Sequence, residues 1–274
     1  MSQNNFVTSL PETFNCLKRN RDLLLRLTKR DIIGRYSGSF IGIFWSLINP
    51  LFMLIVYTFV FSVVFKMKWG IGGESKTEFA LLLFSGLIVH SLFAECINRA
   101  PSTILANVNY VKKVIFPLEI LPWINMGTAL FHSLASFCIL LIFYLFIHFS
   151  FNVTVFLLPF VLLPLVFITM GISWFLASLG VYVRDVGQVT PTISVTLLFV
   201  SPVFYPISSL PEKYQIFLYL NPLTFIIEQV RGILLLGNMP NWTGLLIYFV
   251  VSIIIAWLGL FWFQKTRKGF ADVL

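Results

Sequence analysis

Residues 120–183 read ILPWINMGTALFHSLASFCILLIFYLFIHFSFNVTVFLLPFVLLPLVFITMGISWFLASLGVYV, about 64 residues without a formal charge between Glu119 and Arg184. A hydrocarbon core about 30 Å thick takes about 20 apolar residues of helix at 1.5 Å per residue. The run is too long for one such helix and right for two, turned at the polar patch of His148, Ser150 and Asn152. It predicts spans over 120–147 and 155–182.

Working outward with the same criterion adds spans over 38–65, 79–98, 187–207 and 242–263. Between the last two, residues 208–238 are interrupted by Pro211 and Pro222 and carry Glu212, Lys213, Glu228 and Arg231. Proline removes a backbone donor, so such a segment survives at membrane depth only when packed against protein. Short re-entrant helices at the outer, periplasmic face are expected there. The expected fold class is an all-α membrane protein of six transmembrane helices in a single domain.

Composition agrees. The 274 residues are 58% apolar and 11% charged, with a mean hydropathy of +0.90, against about half and about a quarter in soluble domains. The net charge of +8 does not point to nucleic acid, because the cations lie between hydrophobic runs and not along a basic groove. They read as topology signals: 14 of the 19 Lys and Arg fall on the side of the amino terminus. Both termini are therefore expected in the cytoplasm, with the chain in the inner membrane among its lipids. Residues 1–11 lack the apolar core of a cleavable signal, and Cys16, Cys96 and Cys138 have no metal or redox spacing.

Ahead of the first span, Lys18, Asp22, Arg26 and Lys29 recur at spacings of four, four and three, sharing one helical face. A basic amphipathic helix over 10–35, lying in the inner interface, explains the pattern, with Ser9 and Glu12 spaced as a capping box. A plain polybasic retention signal is the alternative.

No convergent acid, base and nucleophile is visible, nor clustered metal ligands; His90, His132 and His148 fall in separate places. No phosphate-binding loop occurs, so the chain is expected to hold no cofactor or metal and to perform no catalysis. Glu95 and Arg99 are placed to pair at i, i+4, and Glu228 and Arg231 at i, i+3. The 30 Phe, 9 Tyr and 7 Trp are mostly lipid-facing or interfacial anchors. For Tyr36, Phe40, Phe44, Trp45, Phe52 and Tyr57 two readings stand: lipid contact, or the lining of a passage in which ring faces meet the C–H surfaces of sugars.

Specific strings then carry more than composition. Lys29-Arg30-Asp31-Ile32-Ile33-Gly34-Arg35-Tyr36, followed by Gly42-Ile43-Phe44-Trp45-Ser46-Leu47-Ile48-Asn49-Pro50-Leu51, resembles the start of the membrane subunit of type-2 ABC exporters for polysaccharides. Ser85-Gly86-Leu87, the string NYVKKVIFPLEILP over 109–122, Tyr182-Val183-Arg184-Asp185-Val186, Ser201-Pro202-Val203-Phe204-Tyr205-Pro206 and Leu220-Asn221-Pro222-Leu223 extend the resemblance along nearly the whole chain. His90 departs from it, standing where many relatives carry Trp.

The resemblance implies two copies of the chain forming a pore, each docking a separate nucleotide-binding subunit that holds ATP and Mg. It implies a cytoplasmic coupling element over 100–117, with Asn107, Asn109, Tyr110, Lys112 and Lys113 at the ATPase. It places Arg26, Lys29, Arg30 and Arg35 at an entrance where a lipid pyrophosphate arrives, and an outer gate at Pro202, Tyr205, Pro206, Asn221 and Pro222. The implied cargo is a lipid-linked polysaccharide, undecaprenyl-pyrophosphate-linked O-antigen first, with capsular polysaccharide or teichoic acid as alternatives. A small-lipid or drug exporter of the same fold, and a membrane-embedded glycosyltransferase or polymerase, are the rival classes.

Overall fold

The computed structural model describes residues 10–60, 76–112 and 116–274, all helix, turn and connection, with no strand among them. Four described helical stretches are long and apolar enough to cross a membrane: Thr77–Ser102, Leu118–His148, Val153–Tyr182 and Trp242–Val273. Their cores are helix α4 (Lys76–Arg99), α6 (Leu121–His148), α7 (Leu158–Tyr182) and α11 (Trp242–Thr266). At the other two expected spans stand shorter apolar helices, Gly42–Thr58, which contains α3 (Trp45–Thr58), and α8 (Val186–Phe199). Residues 61–65 of the first expected span lie outside the described residues.

Local chemistry sets the helix ends. Pro122 and Pro222 sit in the first turns of α6 and α10 (Pro222–Leu234), where a missing N–H costs nothing. Asn221 and Asn241 cap α10 and α11, their side chains accepting from the amides of Leu223 (2.9 Å) and Gly244 (3.0 Å). Helix α8 stops at Phe199, short of the expected 207, because residues 201–206 turn away under two prolines and find other partners.

Helix α4 is the central staff, with 72% of its apolar window buried against 28% for α6 and for α11. The closest crossing joins α7 to α11: a Cβ on Gly259 would run into the Gly171 carbonyl, so two glycines let the backbones touch. Buried Trp174, Met170 and Leu165 of α7 and Leu260 and Phe263 of α11 fill the same core. In a helical hairpin, α9 (Glu212–Leu220) followed by α10, it is α10 that packs against α4 and α7, with α9 lying on α10.

The expected single helix over 10–35 is two, α1 (Leu10–Arg19) and α2 (Arg21–Tyr36). The break falls at Asn20, whose side chain donates to the Cys16 carbonyl (2.9 Å), the competition that makes Asn a poor interior residue. Lys18, Asp22, Arg26 and Lys29 are exposed, while Cys16 and Leu27 are buried. The expected cap at Ser9 lies outside the described residues.

Between α4 and α6 the chain makes 3₁₀ turns at Ala100–Ser102 and Leu105–Asn107 and a single turn of helix, α5 (Val108–Val111). Each root of this segment is pinned. At the first, Pro101 lies so close to α7 that a Cβ on Gly180 would collide with its carbonyl. At the second, the buried Glu119 receives Arg267 (2.7 Å) and the Cys16 thiol (3.6 Å), and its carbonyl takes the Trp174 indole N–H (3.1 Å). Burial and then the Glu119 carboxylate push the Cys16 thiol up from its ordinary pKa.

Candidate functional site

A cavity of about 350 Å³ opens between the end of α2, α3, α4 and α6. Its apolar wall includes Trp45, Pro50, Tyr57 and Phe84, and its polar side includes Ser46, Asn49, Ser91, Ser133 and Ser136. Pro50 has no N–H, so the Ser46 carbonyl lacks its helical donor at a place where both residues line the space. His90 also lines it; its Nε2 meets the Ser194 carbonyl at 2.9 Å, and since a carbonyl only accepts, Nε2 carries the hydrogen.

One end of the cavity is ionic. Arg35 Nη1 lies 2.7 Å from Glu95 Oε1, and His132 Nδ1 lies 2.9 Å from Glu95 Oε2. Tyr36 OH meets His132 Nε2 at 3.0 Å. A carboxylate accepts, so His132 donates from Nδ1, and Tyr36 holds the other ring nitrogen. Glu95 and Arg99, expected to pair along one helix, stand 4.0 Å apart. Each prefers a partner from elsewhere: Arg99 forks onto Asp31 of α2 through both nitrogens (2.7 and 2.8 Å). That fork matches a carboxylate better than the helical neighbour can. Burial works against the charge of Asp31, but Arg99, helped by Thr128 (2.9 Å), holds its carboxyl below the usual carboxylate range.

A second cavity, about 270 Å³, lies between α2 and the segment after α4 and is lined by Arg30, Asp31, Arg99, Thr103, Asn107 and Tyr110 among others. Arg30 Nη2 donates to Tyr110 OH (3.3 Å), Tyr110 stacks on Phe116 (4.3 Å between ring centres), and Asn107 Nδ2 donates to the Thr103 carbonyl (2.8 Å).

A third cluster is a buried knot. Arg231 of α10 donates to the carbonyls of Pro202 (2.5 Å), Val203 (3.1 Å) and Leu82 (3.1 Å) and to Glu228 (3.0 Å). The expected Glu228 pair is present, beside these three main-chain carbonyls. Asn221 Nδ2 donates to Ser201 Oγ (3.0 Å), Tyr205 OH to the Phe199 carbonyl (2.7 Å), and Tyr248 OH to the Pro222 carbonyl (2.6 Å).

The model of the ABC-2 type transporter family matches residues 22–235, most of the chain. The chain belongs to this family. Among curated relatives it is 26% identical over 258 residues to the O-antigen export system permease protein RfbA of Klebsiella pneumoniae, covering 92% of this chain and 95% of that one. A permease of the same name from Myxococcus xanthus is also 26% identical, over 93% and 96% of the two chains. The polysialic acid transport protein KpsM of Escherichia coli is 23% identical over 88% and 92%.

In this ABC-2 transporter chain three of the strings quoted above meet in space. Gly86 of Ser85-Gly86-Leu87 leaves room for Arg231: a Cβ there would stand 3.0 Å from Nη2 and 3.4 Å from the Val203 Cα. Of the expected gate residues, Pro202 meets Arg231 directly and Asn221 reaches the same stretch through Ser201, whereas Tyr205 bonds the Phe199 carbonyl and the Pro222 carbonyl takes Tyr248.

The six aromatics divide. Tyr36, Trp45 and Tyr57 line the first cavity, whereas Phe40, Phe44 and Phe52 are exposed and not among its lining residues. The four cations divide as well, Arg35 in the first cavity, Arg30 in the second, Arg26 and Lys29 on the exposed face of α2. Asn107 and Tyr110 line the second cavity, Asn109 and Lys112 are exposed, and Lys113 lies outside the described residues. Sequence reasoning missed Asp31, His132 and the buried carboxylate of Glu119. The signal was present only as isolated ionisable groups near span ends, each of which needs a partner in hydrocarbon.

Proposed function

We propose that this ABC-2 transporter chain is the membrane subunit of an exporter that passes a lipid-linked polysaccharide, foremost undecaprenyl-pyrophosphate-linked O-antigen, from the cytoplasm to the periplasm. Two copies enclose the passage, and two separate ATPase subunits, holding ATP and Mg, dock at residues 100–117. Both chain ends face the cytoplasm. The supporting observation is the 350 Å³ cavity, in which Tyr36, Trp45 and Tyr57 face serine hydroxyls, Asn49 and an ionic end. Aromatic faces beside hydroxyl and amide groups suit sugar rings, which present C–H surfaces and hydroxyls together. The full-length similarity to O-antigen export permeases supports the same reading.

In this reading Arg35 receives the pyrophosphate, with Arg26, Lys29 and Arg30 drawing it along α2. The α9–α10 hairpin forms the outer gate, hung from the Arg231 knot. Closure of the ATPase pair shifts the permease between inward-restricted and open states. Because both roots of residues 100–117 are pinned, a push on that segment reaches α7 through Pro101 and α11 through Glu119 and Arg267.

The test is to delete the gene and locate the glycan. It should accumulate on its lipid carrier inside the cell and return to the surface with the wild-type gene; unchanged surface glycan in the deletion rejects the function. Replacing Lys112 and Lys113 with Glu should separate nucleotide hydrolysis from export without preventing insertion. Similarity to the polysialic acid transport protein supports capsular polysaccharide as a second cargo, and the identity of the accumulated lipid distinguishes the two.

A further inference from the structure

Glu95 has a cation one helical turn away on its own helix, yet Arg99 is taken by Asp31 and stands at 4.0 Å. The charge of Glu95 is therefore carried by two donors from other helices, Arg35 of α2 and His132 of α6. These two donors are unlike. His132 is 16% exposed and also held by Tyr36, whereas Arg35 is 34% exposed. Both short contacts of Arg35 run through Nη1, to Glu95 at 2.7 Å and against His132 Nδ1 at 3.2 Å. With a hydrogen on His132 Nδ1, the latter sets two donors face to face, crowded onto one carboxylate. The Nε–Nη2 edge of Arg35 takes no part in either contact. Arg35 is next to last in α2, just before Gly38 turns the chain with φ +83°, so its helix end can shift without unpacking a span.

We propose that Glu95 and His132 are positioning residues that hold Arg35 in reserve at the ionic end of the cavity. An anionic group of the incoming substrate takes Arg35 over, while His132 keeps the Glu95 charge satisfied. This rests on the reading that a lipid-linked glycan enters here. Moving Arg35 from Glu95 to a phosphate exchanges one charge-assisted contact for another and gains a two-pronged geometry. What would oppose the exchange is a stranded carboxylate in a largely buried place. His132 at 2.9 Å, with Arg99 at 4.0 Å behind it, removes that opposition.

The experiment uses the permease with its ATPase subunits in liposomes and reads the probe concentration that half-stimulates hydrolysis. Retention of the same probe by the permease alone is a readout independent of the ATPase. One probe is undecaprenyl pyrophosphate, a phosphoryl source without a glycan; the other is soluble oligogalacturonate, a carboxylate source without a lipid. A response to either supports the exchange and names the anion.

E95Q should lower the half-stimulating concentration about tenfold, because the competing charge is gone. H132L should raise it, since Glu95 then clings to Arg35, and H132Q, which can still donate one hydrogen bond, should restore most of the wild-type value. R35Q should abolish the response, and R35K should keep part of it. Should E95Q fail to assemble, E95D carries the test, with a smaller fall expected from a carboxylate drawn back by one methylene. E95Q and H132L matching wild type while R35Q is dead overturns the reserve and leaves the entrance standing. E95Q weakening the response alongside R35Q, as a purely structural pair would, also overturns it. R35Q responding like wild type overturns both the reserve and the entrance.

Discussion

Two arginines of this chain, Arg231 and Arg35, are both tied to glutamates and do opposite things. Arg231 is 3% exposed and spends its donors on three main-chain carbonyls from two other parts of the chain, with Glu228 as a fourth partner. Main-chain carbonyls cannot rotate away or titrate, so the knot has one arrangement. Arg35 is about a third exposed and, among the described residues, its short contacts are to side chains, which have rotamers and can trade partners. The same guanidinium is a fixed joint where backbone surrounds it and an exchangeable donor where side chains do. What differs is whether another arrangement exists at similar cost.

The largest test is R231M, which strands three main-chain carbonyls inside the bundle and takes the partner from the exposed Glu228. It should cost about 3–5 kcal/mol, read as a large fall in melting temperature of the detergent-purified protein. R231K should recover only part of that, because an ammonium lacks the fork. A variant melting like wild type would mean the knot is no joint.

N221A removes the α10 cap and the bridge to Ser201 together. It should cost about 1–2 kcal/mol and place the hairpin, like Arg231, among the fixed parts. D31N lies between the extremes, since Arg99 meets only a side chain but through both nitrogens. Asp31 is held below its unfolded value, so its stabilisation is present above about pH 4 and lost as the pH falls through the lower folded value. Wild type should lose stability through that window, while D31N should be flat across it and lower at neutral pH. Melting curves from pH 3 to pH 7 read both. The smallest effect is expected for R35Q, within about 1 kcal/mol. A loss as large as that of R231M would erase the contrast between the two sites.

The long helices were legible because hydrocarbon imposes a length and forbids charge, and residues 120–183 obey both conditions without interruption. The two shorter helices were not, because apolar content does not say where packing ends a helix. Residues 187–199 and 200–207 look alike in hydropathy, but Ser201, Pro202 and Val203 serve the Arg231 knot instead of continuing α8. Ion pairing was legible where helical spacing decided it, for Glu228 and Arg231. For Glu95 and Arg99 the expected i, i+4 pair is present at 4.0 Å, but their shorter partners lie on other helices, which spacing alone does not show. Of the candidate site, the sequence named Tyr36, Trp45, Tyr57 and Arg35 without separating them from Phe40, Phe44 and Phe52. Their helical spacing left both lipid and cavity open, and only the neighbouring helices decide which face is covered.

The pairing of Glu119 with Arg267 has a consequence for biosynthesis. The two residues are 148 positions apart, so at about 5–20 residues per second roughly 7 to 30 seconds of translation separate them. Throughout that interval the carboxylate that Arg267 will neutralise sits at the root of residues 100–117 without its cation, and α1 and α7 have no third party to close against. That corner of the molecule can set only when α11 and the Arg267 that follows it have been delivered, so the root at Glu119 matures long after its own residues are made.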